Sequence, residues 1–203
     1  MLIAGLTGSI GTGKTTVANF LKKEKIPVIS SDDIVSELYQ HDAVEIIGKT
    51  FPKSVKNGKV DKSYLLEQLK ESPEKLEVLE SIVHPMVRMR EEKILEEMFY
   101  RGEKLVFFDT PLLFEKKMDC LFDVIVVVTC SFETQRKRVL SRKKYTEESF
   151  LFILSKQLSE TEKISRADYV INTEGKIETI GKKIQEILVK IYKMIDSNKK
   201  CVK

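Results

Sequence analysis

A chain of 203 residues, 42% hydrophobic and 33% charged, has the size and apolar content for one α/β domain with room for inserted subdomains. Its 35 Lys+Arg against 31 Asp+Glu leave a net charge of +4, too weak a basic balance to point to nucleic acid and suited to a polyanionic small molecule. The longest apolar run, Val124 to Val128, is far too short to span a bilayer, and Met1 leads directly into an apolar strand with no signal peptide before it.

The first predicted element is a buried strand, Leu2 to Leu6, and the loop after it carries the strongest signal in the chain. Gly8-Ser9-Ile10-Gly11-Thr12-Gly13-Lys14-Thr15 fits the phosphate-loop pattern G-x-x-x-x-G-K-[ST] at every fixed position. A predicted helix, Thr16 to Leu21, follows it. Gly8, Gly11 and Gly13 let the backbone wrap a phosphate chain, with the N–H groups of Thr12 to Thr16 and the helix N-terminus aimed at the anion. Lys14 is expected to reach the outer phosphates and the Thr15 hydroxyl to ligate Mg²⁺. A glycine-rich structural turn is the bland alternative, and the strand-loop-helix context argues against it.

A second strand, Val28-Ile29, runs into Ser30-Ser31-Asp32-Asp33. Phosphoryl transfer needs a group to orient or deprotonate the acceptor hydroxyl, and Asp32 is the candidate base and a possible indirect Mg²⁺ partner. Asp33 satisfies the same spacing, and a helix cap at Ser31 or Asp32 is the non-functional reading. About 70 residues then separate the second and third strands, far more than a crossover helix needs. This stretch, residues 33–103, is expected to be a helical insert that recognises a second substrate, or else simply a cover for the sheet. Asp61 can cap a helix bearing Leu65, Leu66 and Leu69; Ser72-Pro73 starts another; a third is predicted from Pro85 to about Tyr100. His84-Pro85 would join the last two. His84 and Arg88 are candidate substrate contacts, although a lone histidine or surface arginine more often packs or solvates.

The third strand, Leu105 to Phe108, stops at Asp109, where a carboxylate can hold the metal through water; a turn residue before Thr110-Pro111 is the other reading. The fourth, Val124 to Val128, stops at Thr129. A helix from Phe132 to about Arg142 carries Arg136, Arg138 and Arg142. Arg138 and Arg142 are four apart and share a face, which suits either a lid over the transferred phosphate or a solvated basic surface. Further helices are predicted from Glu147 to about Ser159 and from Lys176 to about Ile195. A short strand, Tyr169 to Ile171, lies between them and stops at Asn172. Residues 197–203 read as a frayed tail. The continuous apolar strands, separated by helices, predict a doubly wound five-stranded parallel sheet with its ligands beyond the strands' carboxyl ends. The cysteines Cys120, Cys130 and Cys201 show no metal or redox spacing and read as thiols in a reducing cytoplasm, with Cys130 packing in the core.

Taken in order, these motifs resemble the dephospho-coenzyme A kinase family over roughly residues 1–190. The resemblance rests on Gly5 to Thr16, Val28-Ile29 leading to Asp32, Asn57-Gly58, His84-Pro85, Pro111-Leu112-Leu113-Phe114-Glu115, Glu133-Thr134-Gln135 with Arg138 and Arg142, and Ala167 to Asn172. It implies a P-loop kinase that moves the ATP γ-phosphate to the 3′-hydroxyl of dephospho-coenzyme A, with ATP and Mg²⁺ as partners. By the same resemblance Asp32 stands at the catalytic aspartate, Arg138 and Arg142 fall in the lid, the insert binds the coenzyme A portion, and Asn172 lies near the adenine loop. The implied division is a nucleotide-binding core (1–32, 104–131 and 160–203), a coenzyme A-binding insert (33–103) and a lid (132–159), in a cytoplasmic monomer or weak homo-oligomer that binds neither membrane nor nucleic acid. The chain departs from the family pattern at Ser30, Lys62 and Thr173, where aspartate, arginine and asparagine are frequent; these positions bear on secondary contacts. A kinase for another small metabolite and a nucleotide-dependent switch are the alternatives, the latter disfavoured because Thr129-Cys130-Ser131-Phe132 replaces the Asn-Lys-x-Asp a GTPase would carry there.

Overall fold

The computed structural model describes residues 1–200, so Cys201 and the end of the predicted tail lie outside the described residues. The chain divides into two compact units, residues 1–29 with 101–203, and residues 30–100.

The first unit is built on a five-stranded sheet. Its strands are β1 (Leu2–Thr7), β2 (Val28–Ser30), β5 (Leu105–Asp109), β6 (Val124–Thr129) and β7 (Tyr169–Asn172), in the order β2-β5-β1-β6-β7. The β1 pairings with β5 and β6, and that of β6 with β7, are parallel. The apolar runs do not alternate because both faces are covered. Val124, Val126 and Val128 enter one core, with Leu6, Phe107, Val17 and Leu21 of α1 (Lys14–Lys23), and Ile184, Leu188 and Ile191 of α9 (Ile177–Lys200). Ile125 and Val127 face the opposite way, into a core with Leu113 and Phe114. β1 lies between β5 and β6, the place where successive connections diverge, so the loop after β1 opens into the crevice that such sheets offer to ligands.

Three further helices complete this unit: α6 (Phe132–Leu140), α7 (Glu147–Ser155) and α8 (Glu160–Ser165). The helix expected over 147–159 ends early, at Ser155, and α8 follows it as a helix the sequence did not announce. Ser159 caps α8, its side chain accepting from the Glu162 N–H at 3.2 Å. α6 ends two residues before Arg142, and α9 continues through Ser197, which had read as the start of a frayed tail.

The second unit holds α2 (Ser31–Leu38), α3 (Val44–Thr50), α4 (Lys62–Glu71) and α5 (Pro73–Tyr100). It is not wholly helical as the sequence suggested. Val55–Lys56 (β3) and Lys59–Val60 (β4) form an antiparallel hairpin. Its two-residue turn is Asn57-Gly58 with φ of 51° and 71°, the left-handed pair that a tight hairpin requires. Asp61 caps α4 as expected, with Oδ1 accepting from Ser63 and Tyr64 N–H at 3.1 Å each. The expected break at His84-Pro85 is absent: α5 runs through Pro85 for 28 residues. Pro85 deprives the helix of one N–H, but α2, α3 and α4 all pack along α5, with Leu79 and Val83 buried, and that tertiary contact outweighs one lost bond.

Candidate nucleotide-binding site

The phosphate loop is shaped by contacts that leave little room for side chains. A Cβ on Gly8 would collide with the Val128 carbonyl oxygen and stand 2.8 Å from Thr12 Oγ1. Gly13 adopts φ 93° and caps α1 with no side-chain hydrogen bond and no acidic residue in the first turn. The helix thus begins with free backbone donors and an uncompensated positive end, which is what an anion requires. Thr12 is buried, its hydroxyl donating back to Ser9 O at 2.9 Å, so its side chain shapes the loop rather than facing a ligand. Thr15 and Thr16 are exposed on the first turn of α1.

Lys14 forms an ion pair with Asp109 at the end of β5, with both side chains only 16% exposed. Two sequence-predicted residues nearly a hundred positions apart therefore meet at the sheet's carboxyl edge. The donor set suits Mg²⁺: this ion is held by one or two carboxylates with phosphate oxygens and water completing its shell, and one carboxylate and one exposed threonine hydroxyl are offered. Among the described residues no cluster of three or more acidic, histidine or cysteine side chains forms a metal cage.

Beside the loop lies a cleft of about 360 Å³ lined by Gly11, Gly13, Thr16, Arg138, Arg142 and Thr173, with Ile177 and Ile180 supplying an apolar wall. It combines flat apolar surface, two guanidinium groups and the backbone of a phosphate loop. The two arginines differ in kind. Arg138 is anchored: Nη1 donates to Thr173 Oγ1 at 2.8 Å and to Thr12 O at 3.3 Å, and Nη2 donates to Thr173 O at 2.8 Å. Arg142 is exposed beyond the end of α6, and among the described residues no hydrogen bond or ion pair holds its guanidinium. Arg136 pairs with Glu147 on the surface at 2.7 Å, as a solvated face would have it.

Thr173 was read from sequence only as a departure from a pattern, yet it is the hub here. It is buried, accepts from Arg138 and donates to Thr12 O, joining the end of β7 to the phosphate loop. Asn172 is exposed and is not among the cleft's lining; its Oδ1 accepts from Glu174 N–H at 2.8 Å and shapes the turn that carries Thr173 and Gly175. Glu174 in turn accepts from the Ser131 N–H and the Thr134 hydroxyl, both at 3.0 Å. These hydrogen bonds, Ser131's first, hold its carboxyl below the usual range.

Sequence reasoning also missed what holds the loop from behind. Gln157 Oε1 accepts from the Ile10 N–H at 3.0 Å, and Gln135 Nε2 donates to Ile10 O at 3.1 Å. Fully buried Lys163 donates to Ser9 Oγ at 3.0 Å and pairs with Glu115 at 3.0 Å. Burial alone would raise the Glu115 carboxyl, but hydrogen bonds from the Leu158 N–H and its own N–H, together with Lys163, hold it below the ordinary glutamate value. Of these, Glu115 and Gln135 had been singled out, each only as part of a motif. Nothing in the sequence marks Lys163 of α8 or Gln135 of α6 as buried.

The remaining predicted residues belong to the second unit. Asp32 and Asp33 are exposed in the first turn of α2. The cap is Ser30, whose hydroxyl accepts from Asp33 N–H at 3.2 Å, so the expected capping duty of Ser31 or Asp32 is not there and the Asp32 carboxylate is unspent. Ser31 instead donates to Glu91 of α5 at 2.7 Å, and Glu37 of α2 pairs with Arg90 at 3.0 Å. His84 and Arg88 are both exposed on α5, four residues apart and hence on one side of the helix. Lys62 donates to Ser36 Oγ at 2.8 Å. Among the described cysteines, Cys130 is buried and Cys120 exposed, both as free thiols. No helix among the described residues is long and apolar enough to cross a membrane.

The chain resembles known proteins over most of its length. The family model for dephospho-CoA kinase matches residues 2–179. A dephospho-CoA kinase of Agrobacterium fabrum is 42% identical over 94% of this chain and 98% of its own length. A Thermus thermophilus protein of known crystal structure superposes with a TM-score of 0.77 at 33% identity, covering 93% of this chain and 97% of that one. Campylobacter jejuni dephospho-CoA kinase has the same fold, with a TM-score of 0.65 at 24% identity over 93% and 96% of the two chains.

Proposed function

Because the chain belongs to the dephospho-CoA kinase family, we propose that it transfers the γ-phosphate of ATP to the 3′-hydroxyl of dephospho-CoA, giving CoA and ADP, the last step of CoA synthesis. One observation carries the reading beyond the family: a phosphate loop whose lysine meets the carboxylate at the end of β5, beside a cleft with an apolar wall and two arginines.

The residues divide the work as follows. Backbone N–H groups of Gly11, Gly13, Lys14 and Thr15 bind the phosphates, and Lys14 neutralises the outer ones. Thr15 and Asp109 would hold Mg²⁺, with Asp32 a possible indirect partner; the ion supplies charge neutralisation to the triphosphate. Ile177 and Ile180, beside Thr173 and Gly175, would receive the adenine base, with Asn172 shaping that turn. Asp32 takes the proton as the acceptor oxygen bonds to the γ-phosphorus and the bond to the ADP oxygen breaks. Arg138 fixes the loop and the ribose side of the cleft. Arg142, with no competing partner, meets the charge that develops on the transferring group. Residues 132–159 act as the lid, and residues 33–103, with His84 and Arg88, receive the CoA portion. The enzyme works in the cytoplasm, as a monomer or weak homo-oligomer, and takes neither nucleic acid nor membrane as partner.

A panel of acceptors tests the reading. With Mg²⁺-ATP, dephospho-CoA should be phosphorylated while shikimate, adenosine and AMP are not. Turnover of one of those controls in place of dephospho-CoA would reassign the chain to another metabolite.

A further inference from the structure

The polar groups behind the phosphate loop are costly to bury, and the reaction just described leaves them without a task. Lys163 has no exposed surface. A buried ammonium is tolerated only when paired and hydrogen-bonded. Its two partners come from different places: Glu115, six residues after Asp109 on the segment that follows β5, and Ser9 inside the phosphate loop. The Ser9 hydroxyl has one proton and is itself 3% exposed. Because it accepts from Lys163, its proton is directed to Glu160 Oε1, and the other Glu160 oxygen accepts from Thr129 Oγ1 at the end of β6. Lys163 thereby fixes the hydroxyl's orientation, and through it the path of the loop between Gly8 and Ile10.

We propose that Lys163 is a positioning residue that holds the phosphate loop in its nucleotide-binding shape through Ser9, and links it through Glu115 to the segment following the metal-holding carboxylate. The proposal rests on the reading that Gly8 to Thr15 binds the ATP phosphates. Lys163 itself is sealed from the cleft, so its effect reaches ATP only through the loop.

The test compares the full-length wild type with Ser9→Ala, Lys163→Met and the double variant. ATP affinity is measured by calorimetry, and the Michaelis constants for both substrates and kcat are measured alongside. Ser9→Ala leaves the Lys163–Glu115 pair intact, so it keeps the test open even if Lys163→Met folds poorly. Each single variant should weaken ATP binding and raise the KM for ATP about tenfold, on the order of one charge-assisted hydrogen bond. The KM for dephospho-CoA should stay within about twofold, as a uniform ground-state effect on one substrate requires. The double variant should bind ATP no more weakly than the worse single one, because both break the same link. Wild-type ATP affinity in Ser9→Ala, or additive losses in the double variant, would overturn the proposal. A wild-type protein that fails to bind ATP would instead overturn the kinase reading.

Discussion

In the proposed mechanism the chemistry depends most on Asp32. Asp32→Asn keeps the size and loses the base, so turnover should fall by at least ~10²-fold while ATP affinity stays near wild type. Steady-state kinetics paired with calorimetry would check this, and near-normal turnover would move the role to Asp33 or Asp109. Arg142→Ala should lower kcat more than it weakens ATP binding, because its partner charge appears only during transfer; an unchanged rate would make Arg142 a solvated surface group. Glu115 carries a pH signature. Its folded carboxyl lies below the ordinary value, so its contribution is complete above the unfolded pKa, near 4.5, and is lost as pH falls through the lower folded one. Glu115→Gln strands Lys163 in the core and should cost roughly 3–5 kcal/mol at pH 7. The melting-temperature gap between wild type and this variant should shrink as pH drops below about 4, the glutamate range. A gap independent of pH would contradict the assignment.

The elements separate what composition reveals from what packing decides. All five sheet strands were legible, because a run such as Val124 to Val128 with both faces covered has no other comfortable environment. The hairpin at Val55–Val60 was hidden by its two-residue strands, although Asn57-Gly58 is a strong turn signal. The continuation of α5 through Pro85 was unreadable in principle: local propensity favours a break there, and only the helices packed along it overrule that. Pro85 is exposed and interrupts the backbone ladder without burying anything itself. Pro85→Ala should therefore raise the melting temperature, by about 2–4 °C if 1 kcal/mol is recovered in a chain of this size. A lower melting temperature would show that α5 depends on the geometry its proline imposes.

Across the whole molecule, the sequence revealed the residues proposed to touch ligands better than those that hold them in place. Lys14 and Asp109 were identified separately by a motif and a strand end, and the fold brings them into contact. Arg138 was identified as a lid arginine; the anchoring that Thr173 and Thr12 O impose on it depends on side-chain directions that spacing does not encode. Lys163, Glu160 and Gln157 carried no motif, Gln135 was quoted only within one, and the hydrogen bonds all four make to the loop or its neighbours follow only from how α6, α7 and α8 pack beside it. The central claim is that this molecule phosphorylates one hydroxyl of one acceptor. The most direct test is to incubate it with Mg²⁺-ATP and dephospho-CoA, weigh the product by mass spectrometry, and locate the added phosphate by phosphorus NMR. The account predicts a product heavier by one phosphoryl group carried on the ribose 3′-oxygen. No product, or a phosphate at any other position, would contradict it.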